Sequence, residues 1–222
     1  LVILDNMKGS TTIERIPVNC PWVTLEKVNA PGELASLIGS RTDLISITVK
    51  SGTLNDADWN AIRQNEWALQ TLNLKGATYN TDNLSQYVSG LYDDFVPLTT
   101  VKLPHGVTGL GEHAFWDCQN LTSVNIPDGV TSIEPAAFNG CYSLTSIDLP
   151  TSVESIGSQA FSSCKKLASV TCRATKPPTL DGIDFFYGCP SDLQIRVPSG
   201  SANAYKAAKN WSTYADKIVA IP

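Results

Sequence analysis

Long hydrophobic runs are missing from this chain of 222 residues. No apolar stretch approaches the roughly 18 residues that a membrane helix requires, so no spanning helix is expected. Charge is sparse as well, at 17% of residues against about 25% in an average soluble domain. With 16 basic and 21 acidic side chains the net charge is −5, which argues against a nucleic-acid groove or an anionic membrane surface as partner. Histidine occurs only at His105 and His113, and methionine once. Imidazole-based catalysis therefore has two positions to work from. No glycine-rich phosphate loop and no C-x-x-C pair is present. The opening Leu1 to Leu4 is too short for a signal-peptide core and has no basic segment before it. Because the first residue is Leu1 rather than Met, a processed or trimmed chain is expected.

What the chain has is hydroxyl groups and a repeat. Serine and threonine together fill 41 positions. Residues 98–120 read LTTVKLPHGVTGLGEHAFWDCQN, residues 121–143 read LTSVNIPDGVTSIEPAAFNGCYS and residues 144–166 read LTSIDLPTSVESIGSQAFSSCKK, a period of 23 in both steps. Leu98, Val101, Leu103, Val107, Leu110, Ala114, Phe115 and Cys118 are matched by Leu121, Val124, Ile126, Val130, Ile133, Ala137, Phe138 and Cys141, and again from Leu144 to Cys164. A fourth, longer unit starts at Leu167, carries an insertion from Arg173 to Pro178 and closes at Phe185, Phe186 and Cys189. A partial fifth strand runs from Leu193 to Val197. Upstream, Leu44–Val49 and Leu69–Leu74 keep the L-x-x-[IL]-x-[VL] pattern at wider spacing.

The alternation that ends L-x-x-V-x-L is the mark of a strand with one buried face, and Pro104, Pro127 and Pro150 end it by removing a backbone donor. One such unit cannot bury its apolar side alone, whereas stacked copies form a continuous core. The predicted fold is an α/β leucine-rich-repeat solenoid: a right-handed coil with a parallel sheet on one face, and short strands and turns on the other. Six or seven coils at roughly 4.8 Å spacing would give a sheet about 30 Å across. A helix over Pro31–Ile38 and a serine-capped helix over Ala202–Lys209, followed by Trp211, Tyr214 and Ile218, read as caps. The division expected is an N-terminal segment and cap over 1–43, a solenoid over 44–198 and a C-terminal cap over 199–222, in one continuous domain. Residues 1–23 show no readable pattern.

The units LTSVNIPDGVTSIEPAAFNGC and LTSIDLPTSVESIGSQAFSSC resemble the repeat of the BspA-like, or Treponema-type, leucine-rich-repeat surface proteins of Bacteroidetes and spirochaetes. The ending VPSGSANAYKAAKNWSTYADKIVAI is similar to the segment that closes such arrays, and GELASLIGSRTDLISITVKSGTLNDADWNAIRQNEWALQTLNLKGA to their N-terminal region. Likeness covers roughly residues 30–222. It implies export to the cell envelope or beyond, often by a lipid anchor whose signal this chain does not carry, and non-catalytic binding or adhesion. The family has no motif for one ligand, so no binding residue carries over.

Cys118, Cys141 and Cys164 occupy one inward repeat position, and Cys172 replaces an inward aliphatic residue; these sites favour free core thiols. A bridge between coils stays open, because stacking could bring Cα atoms near the ~5.5 Å it prefers. Cys20 lies outside the repeat. His105 aligns with Asp128 and Thr151, and His113 with Ala136 and Gln159. Both columns hold unlike residues, which points to exposed bystanders rather than catalytic bases. Asp56 and Asp58 are read as capping the helical stretch Trp59–Gln64, with too few oxygen ligands nearby for calcium. Asp93 and Asp94 read as a solvated turn, with a hydrolytic pair as the minor alternative. No metal, cofactor or catalytic residue is assigned.

The outward strand positions form two columns: Ser46 and Thr48, Thr71 and Asn73, Thr100 and Lys102, Ser123 and Asn125, Ser146 and Asp148, Ser169 and Thr171. They serve either as a binding face or as a solvated face chosen for strand propensity. Trp116, aligned with Asn139 and Ser162, and Tyr142 are the edge aromatics, as contacts for a partner or as packing for a neighbouring loop. The function expected is a non-catalytic, secreted or surface module recognising a protein or glycan ligand. The alternative is a structural or self-assembling scaffold of a larger surface protein.

Overall fold

Repetition of one apolar pattern builds one repeated shape. The computed structural model describes residues 3, 4, 20–65, 67–79 and 97–221. In chain order it contains β1 (Ile3–Leu4), β2 (Trp22–Leu25), helix α1 (Glu33–Ile38), β3 (Ser46–Val49), β4 (Thr53–Leu54), helix α2 (Asp56–Arg63), β5 (Thr71–Asn73) and β6 (Thr78–Tyr79). The clear repeats add β7 (Thr100–Lys102), β8 (Gly109–Leu110), β9 (Ser123–Asn125), β10 (Ser132–Ile133), β11 (Ser146–Leu149) and β12 (Ser155–Gly157). Then come β13 (Ser169–Cys172), β14 (Thr179–Asp181), β15 (Gln194–Pro198), helix α3 (Ala202–Ala207) and β16 (Ile218–Ile221).

Front strands pair in parallel as β1-β2-β3-β5-β7-β9 and β11-β13-β15-β16, and the back strands as β8-β10-β12-β14 with a separate β4-β6 pair. The result is an α/β leucine-rich-repeat solenoid. Ten described front strands exceed the six or seven coils expected. The additions, β1, β2 and β16, lie in segments read as caps, because these strands lack the L-x-x-L-x-L spacing. The strand column thus starts before residue 44 and continues after residue 198.

Ile47, Leu72, Val101, Ile147, Val170 and Ile195 fill the inward centres of successive front strands and are buried. Val124 was expected to match them, yet it is only half-buried. The front ladder is interrupted there: β9 pairs with β7 and β11 with β13, but β9 and β11 share no ladder pairing. The back ladder runs through the same coils unbroken.

Inside the stack, Phe115, Phe138, Phe161 and Phe186 form a column with ring centroids 5.2, 5.5 and 5.7 Å apart and planes within 15° of parallel. Beside it runs the thiol column. Cys141 donates to the Phe115 carbonyl at 3.2 Å, Cys164 to Phe138 at 3.1 Å and Cys189 to Phe161 at 3.1 Å. Each thiol serves both as a small apolar body and as a weak donor to a buried carbonyl of the preceding coil.

Side chains grip backbone in the N-terminal coils and at the C-terminal end. Asn55 caps α2, with Asp58 completing a capping box. Sequence reading placed Asp56 and Asp58 before the helix; they lie in its first turn, because Asn55 supplies the cap. Asp58 is fully buried and accepts from Gly32 N–H at 2.8 Å, Ala35 N–H at 2.9 Å and Asn55 N–H at 3.0 Å, joining α1 to α2. At the other end Tyr205 Oη donates to Ala174 O at 2.8 Å and Trp211 Nε1 to Pro178 O at 2.7 Å, so the cap holds the inserted loop. The Ser201 hydroxyl does not cap α3, contrary to the expectation; a 3-10 turn over Ser199–Ser201 leads into the helix instead.

Candidate functional site

Parallel register turns the outward residues of the front strands into two continuous rows. Ser46 pairs with Thr71, Thr71 with Thr100 and Thr100 with Ser123, while Thr48, Asn73, Lys102 and Asn125 form the second row. Beyond the interruption, Ser146 pairs with Ser169 and Asp148 with Thr171. Ser123, Asn125, Ser146, Asp148 and Lys102 are exposed; Ser46, Thr48, Thr71, Asn73, Thr100, Ser169 and Thr171 are half-buried by their neighbours. The structure therefore gathers every strand residue singled out from sequence onto one face. Trp22 extends the first row, in register with Ser46 and 42% exposed. It was missed because residues 20–25 carry no repeat motif. Arg196, opposite Thr171, extends the second row at the other end.

Trp116 and Tyr142 belong to no front strand. Trp116 lies in the turn between β8 and β9, 39% exposed, with the His113 ring edge-on at 5.8 Å. Tyr142 precedes β11 and carries the Lys165 ammonium 4.2 Å above its ring. His113 adopts a left-handed backbone (φ 59°), as do Ala136 (55°) and Gln159 (57°) at the same repeat position. Their N–H groups donate to the next coil at Pro135, Ser158 and Ile183. The column is thus defined by backbone shape, which explains its unlike side chains. His105 is exposed at the coil edge beside the front strands.

Charges on this face sit at the C-terminal ends of the strands. Arg173 makes a two-pronged pair with Asp148 at 2.7 and 2.5 Å, and Lys50 pairs with Glu26 at 2.6 Å. One shallow cavity of 370 Å³ includes Lys50, Lys75 and Lys102; a second, of 270 Å³, opens at the interrupted ladder between Asn125 and Asp148 and shares Lys75. A third, of 540 Å³, lies under the inserted loop between Ser152 and Pro178. Hydroxyl or amide side chains and a few charges line each of them, chemistry suited to hydrogen bonding with a polar ligand.

All six cysteines are free. Burial pushes the Cys118 and Cys172 thiols up to about 12, and raises Cys141 well above its ordinary value. Cys189 is half-buried, and a hydrogen bond with the Cys164 side chain lowers its pKa. Among the described residues no group of three His, Cys, Asp or Glu side chains is arranged to hold a metal. Asp93 and Asp94 lie outside the described residues.

Comparison with known proteins identifies the repeat. The family model described as "BspA type Leucine rich repeat region" matches residues 88–210. No curated protein matches the chain. Among solved structures, a T. pallidum leucine-rich-repeat protein is similar at 35% identity over 51% of this chain and 50% of that one, with a TM-score of 0.44. A leucine-rich-repeat protein from Bacteroides ovatus is similar at 23% identity over 94% of this chain and 42% of that one, with a TM-score of 0.44. The chain therefore spans half or less of either structure's length.

Proposed function

Because the chain belongs to the BspA-type leucine-rich-repeat family, we propose that it is a non-catalytic binding module of a secreted or cell-surface protein, and that its front sheet face engages a protein or glycan. Members of this family are typically surface or secreted proteins and typically non-catalytic. Among the described residues no helix is long and apolar enough to cross a membrane. One observation carries the reading. Two rows of short, mostly uncharged hydroxyl and amide side chains stand in register on a sheet whose opposite face is the core. A rigid ladder that displays such groups binds without having to order them first, which lowers the entropic cost of recognition.

The test is a panel of matrix proteins, mucins and glycans against the purified chain. A ligand whose affinity falls on changing Asn125 and Asp148, and with them Trp22 or Trp116, is expected. No ligand, or one indifferent to all four positions, contradicts the assignment. A self-associating scaffold is the second reading, favoured by Ile183 and Tyr187, which stand 66% and 70% exposed in the last turn of the stack. Solution scattering of a strict monomer up to high concentration would remove it.

A further inference from the structure

The net charge of −5 makes any local excess of cations on the front face conspicuous. Lys50, Lys75 and Lys102, from three successive coils, line one cavity. Glu26 neutralises Lys50, whereas among the described residues neither the Lys75 nor the Lys102 ammonium has a carboxylate partner. Their backbones are fixed. Leu74 N–H donates to Lys102 O at 2.8 Å, and Gly76 presses so closely on the preceding coil that an added Cβ would lie 1.8 Å from the Lys50 carbonyl oxygen. Lys75 is thereby held between its neighbours at the junction of the two front cavities.

We propose that this groove, at the C-terminal ends of β3, β5 and β7, is a subsite for an acidic polysaccharide. Lys75 and Lys102 receive its carboxylate or sulfate groups, and Asn73, Asn125 and Thr48 receive sugar hydroxyls. The proposal rests on the front-face reading above and narrows it. Charge complementarity selects an anion: Lys50, Lys75 and Lys102 line the first cavity with only Glu26 paired beside them, while in the second Arg173 engages Asp148 and Asp128 is the one further carboxylate. A polysaccharide is favoured over a protein because no Trp, Tyr or Phe side chain lines either cavity, and the one arginine there, Arg173, is exposed and engaged by Asp148. Protein partners are anchored mainly by Trp, Tyr and Arg in desolvated pockets. Successive coils repeat at roughly 4.8 Å, so one polymer chain can address several coils at once.

Calorimetric titration of the full chain with heparin, polygalacturonate and dextran separates sulfate, carboxylate and neutral chemistry. Binding of heparin or polygalacturonate but not dextran is expected, weakening as salt rises because both lysines are exposed. Lys75→Gln with Lys102→Gln should weaken it about tenfold, whereas Lys206→Gln on the C-terminal cap should leave it unchanged. Absence of binding to both acidic polymers, equal binding of dextran, or undiminished affinity in the double variant overturns the proposal. If a matrix protein or neutral glycan binds through Asn125 and Asp148 while the acidic polymers do not, the binding-module reading stands and this subsite alone fails.

Discussion

The Cys164 thiol donates to the carbonyl oxygen of Phe138, one coil earlier, at 3.1 Å. Cys141 and Cys189 are tied to the phenylalanine of the preceding coil in the same way, so these thiols are part of the stack.

Thiol reactivity should follow from that placement. Thiolate is the reactive form, and burial raises Cys118, Cys141 and Cys172 above their ordinary values. The hydrogen bond with Cys164 lowers Cys189, so its thiolate forms at lower pH than that of an ordinary cysteine. Timed alkylation of the native chain near pH 8, read by peptide mass, should modify Cys189 before Cys118, Cys141 and Cys172, and all six once the chain is unfolded. A mass deficit from bridges, or early labelling of Cys141, would count against the free-thiol column.

The phenylalanine column should matter most at its centre. Phe138 stacks on Phe115 and Phe161 together, so Phe138→Ala should cost about 4 kcal/mol in urea unfolding. Phe138→Leu, which refills most of the space, should cost about 1 kcal/mol. Equal losses for the two variants would mean that ring stacking, rather than volume, carries the effect.

Asp58, itself fully buried, has three half-buried backbone N–H partners on two helices. Asp58→Ala leaves those donors unmatched and should cost about 3 kcal/mol. Hydrogen exchange should then show the loss first in α1 and α2, while β9 to β15 keep their protection. Uniform loss along the chain would instead mark the whole stack as one cooperative unit.

Coil spacing is set in part by glycine. At Gly52 (φ 110°) an added Cβ would lie 2.0 Å from Val28 O, and at Gly76 it would lie 1.8 Å from Lys50 O. Either Gly→Ala change should lower stability by about 3 kcal/mol. Gly200→Ala, with nothing within 4 Å, should leave the melting temperature nearly unchanged. Indifference at Gly76 would contradict the close contact that fixes Lys75.

The stack was legible because a period of 23 repeats the same core atoms in the same places. Of the eight apolar positions in the three clear units, all are buried except Val124. Its exposure comes from a break in pairing between coils, and the sequences of β9 and β11, SVN and SIDL, give no sign of it. Trp22 escaped notice because β2 joins the ladder through register alone. Asp58 escaped its role as cross-helix acceptor because Gly32 and Ala35, which it joins to α2, lie more than twenty residues away. The groove joins Lys75 and His105, which follow their front strands, to Lys102 within one; repeat alignment reads such positions separately.

Hydrogen exchange of the chain with and without a ligand found on the panel tests the central claim most directly, since it locates binding without mutation. The account predicts that protection gained on binding concentrates in β5, β7, β9 and β11 and the segments just after them. Protection confined to the turn around Trp116 or to the C-terminal cap, with the front strands unchanged, would contradict it.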